Sequence, residues 1–160
     1  GPVDPVGYID FSCATELHQR VKHSGEFAMA FVVAHEVGHH IQYLLGTTAK
    51  LRRIRQQVSE TEYNTYSVKL ELQADFYAGM WAHYDQQMKN VINPTDISEA
   101  LTAANAIGDD RLQRESQGTV TPDAFTHGTS AQRMYWFKKG YETGDMSQGD
   151  TFAAGAVTIR

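Results

Sequence analysis

Residues His35-Glu36-Val37-Gly38-His39 constrain this chain more than any other stretch, because their spacing has chemical meaning on a helix. Residues four apart share one helical face, so both imidazoles can reach a single metal ion. The glutamate between them then lies close enough to take a proton from metal-bound water. The pattern points to zinc hydrolase chemistry, with Zn2+ as the cofactor, one per chain. The competing reading is a buried amphipathic helix that carries two histidines by accident.

The flanking residues favour the first reading. Phe27-Ala28-Met29-Ala30-Phe31-Val32-Val33-Ala34 runs straight into the motif. Ile41, Leu44 and Leu45 continue the apolar pattern to Gly46, which reads as a helix stop, so a helix is expected over 26–45. Gly38 costs such a helix about 1 kcal/mol relative to alanine. Its place between the histidines predicts close approach by another backbone or by substrate.

A second helix is expected over 60–88, with Ser59 and Glu62 at capping-box spacing. Within it, Glu71 and Asp75 share a face among Leu70, Leu72, Ala74, Phe76, Tyr77 and Met80. Acids in such company are usually paired or ligating rather than part of a solvated acidic face. A catalytic zinc needs a third protein ligand, for which Glu71 is suited. Ligand histidines commonly donate their second ring N–H to a carboxylate, and Asp75 is placed to accept it.

His-Glu-x-x-His followed by Glu-x-x-Ala-Asp resembles the gluzincin arrangement, in which two histidines and a glutamate hold zinc. The likeness narrows with four stretches in order: 34–42 (AHEVGHHIQ), 71–75 (ELQAD), 106–113 (AIGDDRLQ) and 125–130 (FTHGTS). Together they resemble the bacterial putative neutral zinc metallopeptidase family, from about Tyr8 to Phe152. The resemblance implies a zinc-dependent peptidase, an endopeptidase in preference to an exopeptidase, with His35, His39 and Glu71 as ligands and Glu36 as general base. Zinc-bound water, its pKa lowered to about 7, would attack a polarised peptide carbonyl while Glu36 takes its proton and passes it to the leaving amine. His127, beside Gly128 and just ahead of an expected helix, is the candidate donor to the developing oxyanion. Its modest alternative is a loop histidine bonded to the helix start.

Other residues receive structural readings. His40 follows a ligand by one position and should point about 100° away from the metal. His18, His23 and His83 lack ligand-like spacing. Asp109-Asp110-Arg111 fits a salt bridge or a helix cap, and Arg133 reads as a surface arginine with a substrate carbonyl as the bolder alternative. Family members commonly carry cysteine where this chain has Phe76 and Gly149, and another within 1–5, whereas Cys13 is the only cysteine here. The paired loss at Phe76 and Gly149 fits a disulfide absent from this chain.

With 160 residues and 41% hydrophobic content, we expect residues 1–160 to form one zinc metallopeptidase domain. The expected class is α+β, mainly α, a zincin-like helical domain with a short strand over 6–11. Further helices are expected over 12–22, 48–57 and from Pro94 to about Ile107, a loop over 115–126, and a helix over 130–139 closed by Gly140. The family pattern extends upstream, so the chain is expected to be a fragment lacking an N-terminal segment, and loss of upstream strands would weaken substrate binding more than metal binding. A net charge of −5 argues against nucleic acid as a partner. The expected partner is a peptide or protein substrate. No apolar run reaches bilayer-spanning length, so no membrane contact is expected from the fragment itself. The resemblance implies a membrane-anchored, extracytoplasmic parent. Two alternatives stand beside the peptidase: a peptide-binding or scaffolding pseudoenzyme stabilised by metal, and a dinuclear carboxylate oxidase. The oxidase would need a second Glu-x-x-His, which the chain lacks.

Overall fold

The computed structural model describes residues 24–85, 97–98, 101–102 and 127–157. Within them the chain is mainly helical: α1 (Ser24–Leu44), α2 (Thr47–Arg55), α3 (Glu60–Tyr84), α4 (Ser130–Thr143) and a 3-10 helix at Met146–Gly149. No strand occurs among the described residues, which supports the mainly helical part of the expected class. The expected strand at 6–11, helix at 12–22, loop at 115–126 and the Asp109-Asp110-Arg111 stretch lie outside them. No helix among the described residues is long and apolar enough to cross a membrane.

Local chemistry sets the helix ends. Gly46, at φ 83°, ends the run from α1, as the sequence suggested, and also stands at the N-cap of α2. The Ser59 side chain accepts from the Glu62 amide at 3.1 Å and opens α3. Thr129 and Gln132 form a reciprocal capping box that opens α4. Gly140 does not close α4. The helix continues to Thr143 and stops at Gly144, whose φ of 55° is the left-handed conformation a helix stop requires.

Gly140 serves packing instead. A β-carbon there would fall on the Phe76 carbonyl oxygen, and one on Gly79 would fall on the Phe137 carbonyl oxygen. The reciprocal pairing makes α3 and α4 antiparallel, with their backbones in direct contact. Helix α3 is central: every residue from Leu72 to Gly79 is buried, because α1, α4 and the 3-10 helix all pack against it. Phe31, Ala34, Ala78, Ala82 and Phe137 form one core cluster, and Ile97 and Leu101 cover it. A second cluster joins Leu72, Phe76, Tyr77 and Trp136.

Two further glycines position the site. At Gly38 a β-carbon would lie 2.8 Å from the Ala74 carbonyl oxygen, so α1 and α3 cross there, about one turn after His35 and directly before His39. The close approach expected from the sequence is to backbone, and it sets His35 and His39 opposite Glu71 and Asp75. Gly149 lies directly against the Phe76 ring. The two positions for which the resemblance implied a lost cysteine pair are therefore neighbours here, filled by a ring packed on a glycine.

Candidate metal centre

The crossing at Gly38 brings together the residues that the sequence singled out. His35, His39 and Glu71 each turn one ligand atom inward, and these atoms all lie within 4.8 Å of one another. Glu71 Oε2 is 2.5 Å from His39 Nε2 and 3.4 Å from His35 Nε2. Neither contact is aligned as a hydrogen bond, and Oε2 is buried without a donor. Such an atom costs stability unless a cation or proton satisfies it.

The far side of each imidazole is fixed. His35 Nδ1 lies 2.8 Å from Asp75 Oδ1, and His39 Nδ1 lies 2.9 Å from Gln42 Oε1. A neutral imidazole that donates from Nδ1 keeps a lone pair on Nε2. Two lone pairs and a carboxylate oxygen then face one point, which is the donor set of a tetrahedral zinc with one position open. The residues present therefore fit the metal that the sequence implied.

Asp75 anchors the first histidine and is itself anchored. Fully buried, it accepts from Arg133 Nε at 2.8 Å and from Arg133 Nη2 at 3.0 Å. The Arg133 guanidinium also lies 5.8 Å from the centre of the Phe31 ring. Arg133 is thus buried beneath the site, and the surface reading of it is corrected. Its position on α4 faces α3 because Gly140, two turns on, lets the helices approach, a long-range fact with no local sequence signal.

Charge follows this geometry in the metal-free chain. Burial would raise the Asp75 pKa, but the Arg133 guanidinium and the His35 imidazolium outweigh it and hold the carboxyl below its usual range. Burial alone would lower the His35 pKa, yet the Asp75 charge and hydrogen bond, aided by Glu71, push it up to about 10. Burial would likewise raise Glu71, while the His127 hydrogen bond to Oε1 and the His35 and His39 rings close to Oε2 hold it well below the carboxylate range. Both carboxylates are thus held ionised by their cationic neighbours, and between them the His35 position favours a positive charge.

His127 also reaches the site. Its Nδ1 is 2.8 Å from Glu71 Oε1, so it holds the free side of the third candidate ligand. Glu36 follows His35 on the half-buried part of α1. His40 turns away and stacks on Tyr43 at 6.2 Å, and His83 donates through Nδ1 to the Tyr141 carbonyl at 2.7 Å, both outside the cluster as expected. His18 and His23 lie outside the described residues. Sequence reasoning missed Gln42 and Gln73, which are buried and mutually bonded. The signal available was an uncharged polar residue three positions after a candidate ligand.

Comparison with known proteins agrees with the geometry. The chain is 51% identical to "Uncharacterized protein YpfJ" of Escherichia coli K12 over 151 residues, covering 94% of this chain and 52% of that protein. It is 41% identical to "Uncharacterized protein Rv2575" of Mycobacterium tuberculosis H37Rv over 163 residues, covering 96% of this chain and 54% of that protein. The chain thus spans about half the length of the curated relatives it matches. No solved structure gives a significant match. The model of the family described as "Putative neutral zinc metallopeptidase" matches residues 1–152, and the chain belongs to that family.

Proposed function

We propose that this chain is the catalytic domain of a zinc-dependent peptidase, of zincin-like α+β architecture, with His35, His39 and Glu71 as ligands. The observation that carries the reading is Glu71 Oε2, buried without a donor between two Nε2 atoms. When bound there, zinc would polarise a peptide carbonyl and acidify a water. Glu36 is the general base: it takes the proton of the attacking water and delivers it to the leaving amine. Asp75 and Arg133 hold His35 in register. His127 donates from Nδ1 to Glu71, so a second hydrogen bond to the oxyanion, from Nε2, requires its imidazolium form. Substrate is a peptide or protein, and the endopeptidase mode is the favoured one.

Glu36→Gln tests the base. The variant is expected to keep its zinc and to lose hydrolysis of a diverse peptide library by more than about 10²-fold. Hydrolysis that survives in Glu36→Gln sinks the assignment. A parent chain that holds zinc and cleaves no peptide would favour the metal-stabilised binding module.

A further inference from the structure

The two histidines are held by different chemistry. His35 rests on an ionised carboxylate, whereas His39 rests on a neutral amide. Gln42 is wholly buried, and its Nε2 donates to the Leu70 carbonyl at 2.8 Å and to Gln73 Oε1 at 2.9 Å. Gln73 is oriented in turn, because its Nε2 donates to the Gly149 carbonyl at 3.0 Å.

A backbone carbonyl only accepts, so the Gly149 oxygen decides which end of Gln73 is the NH2 group. The Leu70 and Gln73 oxygens then decide the same for Gln42. What Gln42 has left is an acceptor, Oε1, and it meets His39 Nδ1. That nitrogen must carry the hydrogen, which leaves the lone pair on Nε2, facing Glu71.

We propose that Gln42 and Gln73, anchored on the Gly149 carbonyl, are positioning residues that lock His39 in the metal-binding tautomer; the inference rests on the zinc reading above. The relay runs from α1 through α3 to the 3-10 helix, so the segment after α4 is coupled to the metal centre through two amides. An amide suits the place better than a carboxylate. The wholly buried side chain faces two acceptors besides His39, and only an NH2 group satisfies both.

The experiment compares Gln42→Leu, Gln42→Glu and Gln73→Leu with the parent chain. It reads zinc affinity by chelator competition, the absorption spectrum of the cobalt(II)-loaded chain, and the melting temperature of the zinc-free chain. Leucine removes the acceptor for His39. Glutamate keeps it but sets oxygens against Leu70 and Gln73, so both changes lower the melting temperature. Zinc affinity is expected to fall about 10–100-fold in Gln42→Leu, with an altered cobalt spectrum, to recover to within about threefold of the parent in Gln42→Glu, and to fall about three- to tenfold in Gln73→Leu.

Parent-like affinity in both leucine variants overturns the relay, as do losses in the leucine and glutamate variants that merely track melting temperature. If Gln42→Leu fails to fold, Gln73→Leu decides alone, and parent-like affinity there overturns it. A parent that binds no zinc contradicts the metal reading instead. The relay is then read from the nitrogen-15 shifts of His39 in the zinc-free chain, in buffer alkaline enough for a neutral imidazole. An Nδ1–H tautomer in the parent that is lost in Gln73→Leu supports it, and an Nε2–H tautomer in the parent overturns it.

Discussion

Replacing Arg133 by methionine keeps most of the side-chain volume and removes the guanidinium beneath the site. Asp75 Oδ1 would keep His35 as donor, but Oδ2 would lose the Arg133 Nε contact at 2.8 Å and the fully buried carboxylate would lose its main counter-charge. Removing one partner of a buried ion pair typically costs about 3–5 kcal/mol. Because His35 remains, the expected loss is at the lower end, about 3 kcal/mol, or about 6–12 °C in melting temperature for a chain of this size. Equilibrium urea unfolding of the zinc-free chain at neutral pH measures it. The Asp75→Leu, Arg133→Met double variant removes both charges and is expected to cost at least about 2 kcal/mol less than the sum of the single changes. A loss within about 0.5 kcal/mol of zero, as for a surface arginine, or strictly additive costs would refute the buried pair.

Two other perturbations follow from the same geometry. Gly79→Ala forces a β-carbon onto the Phe137 carbonyl and is expected to cost about 1–3 kcal/mol or more by urea unfolding, and a parent-like stability would contradict the α3–α4 contact. Gly38→Ala, whose β-carbon would meet the Ala74 oxygen at 2.8 Å, is expected to cost less stability but to weaken zinc affinity, because it moves the ligand-bearing helices apart. The zinc-free chain should also show two pH limits. Asp75 has a depressed folded pKa, so its stabilisation is present above the usual carboxylate range and is lost as pH falls through the depressed value. His35 has a raised one, so its contribution is complete below about 6.5 and is lost as pH rises through about 10. Thermal melts across pH check this: the alkaline decline should appear without zinc and disappear with it, since zinc would take the place of the Nε2 proton that is otherwise lost.

How much of this was legible from residues alone depends on the range of the interaction. His35, His39, Glu71 and Asp75 were readable because helical periodicity fixes which side chains share a face, and the His35–Asp75 bond joins two such faces as expected. Gly38 was readable as a close approach because a glycine inside a helix costs stability that a contact must offset. The meaning of Gly140 was not. A glycine late in a helical pattern reads as a stop, and only the carbonyl of Phe76 across the interface shows that it is a contact. Arg133 was misread because nothing local distinguishes a buried arginine from a surface one when its partner is 58 positions away. Gln42 and Gln73 passed unnoticed because amides have no charge to demand a partner, so their value appears only when donors and acceptors are counted across three segments. His127 was placed at the site by the family resemblance, but its bond to Glu71 depends on tertiary placement alone.

The proposed peptidase chemistry requires His35, His39 and Glu71 to hold one zinc ion, and elemental metal analysis tests this most directly. The parent chain and Glu71→Ala are loaded with zinc, desalted and analysed side by side. About one zinc per parent chain and a clear loss in Glu71→Ala are predicted, since two histidines alone leave the tetrahedral set short of a ligand. Equal zinc in both would remove Glu71 from the site, and none in the parent would contradict the metal centre altogether.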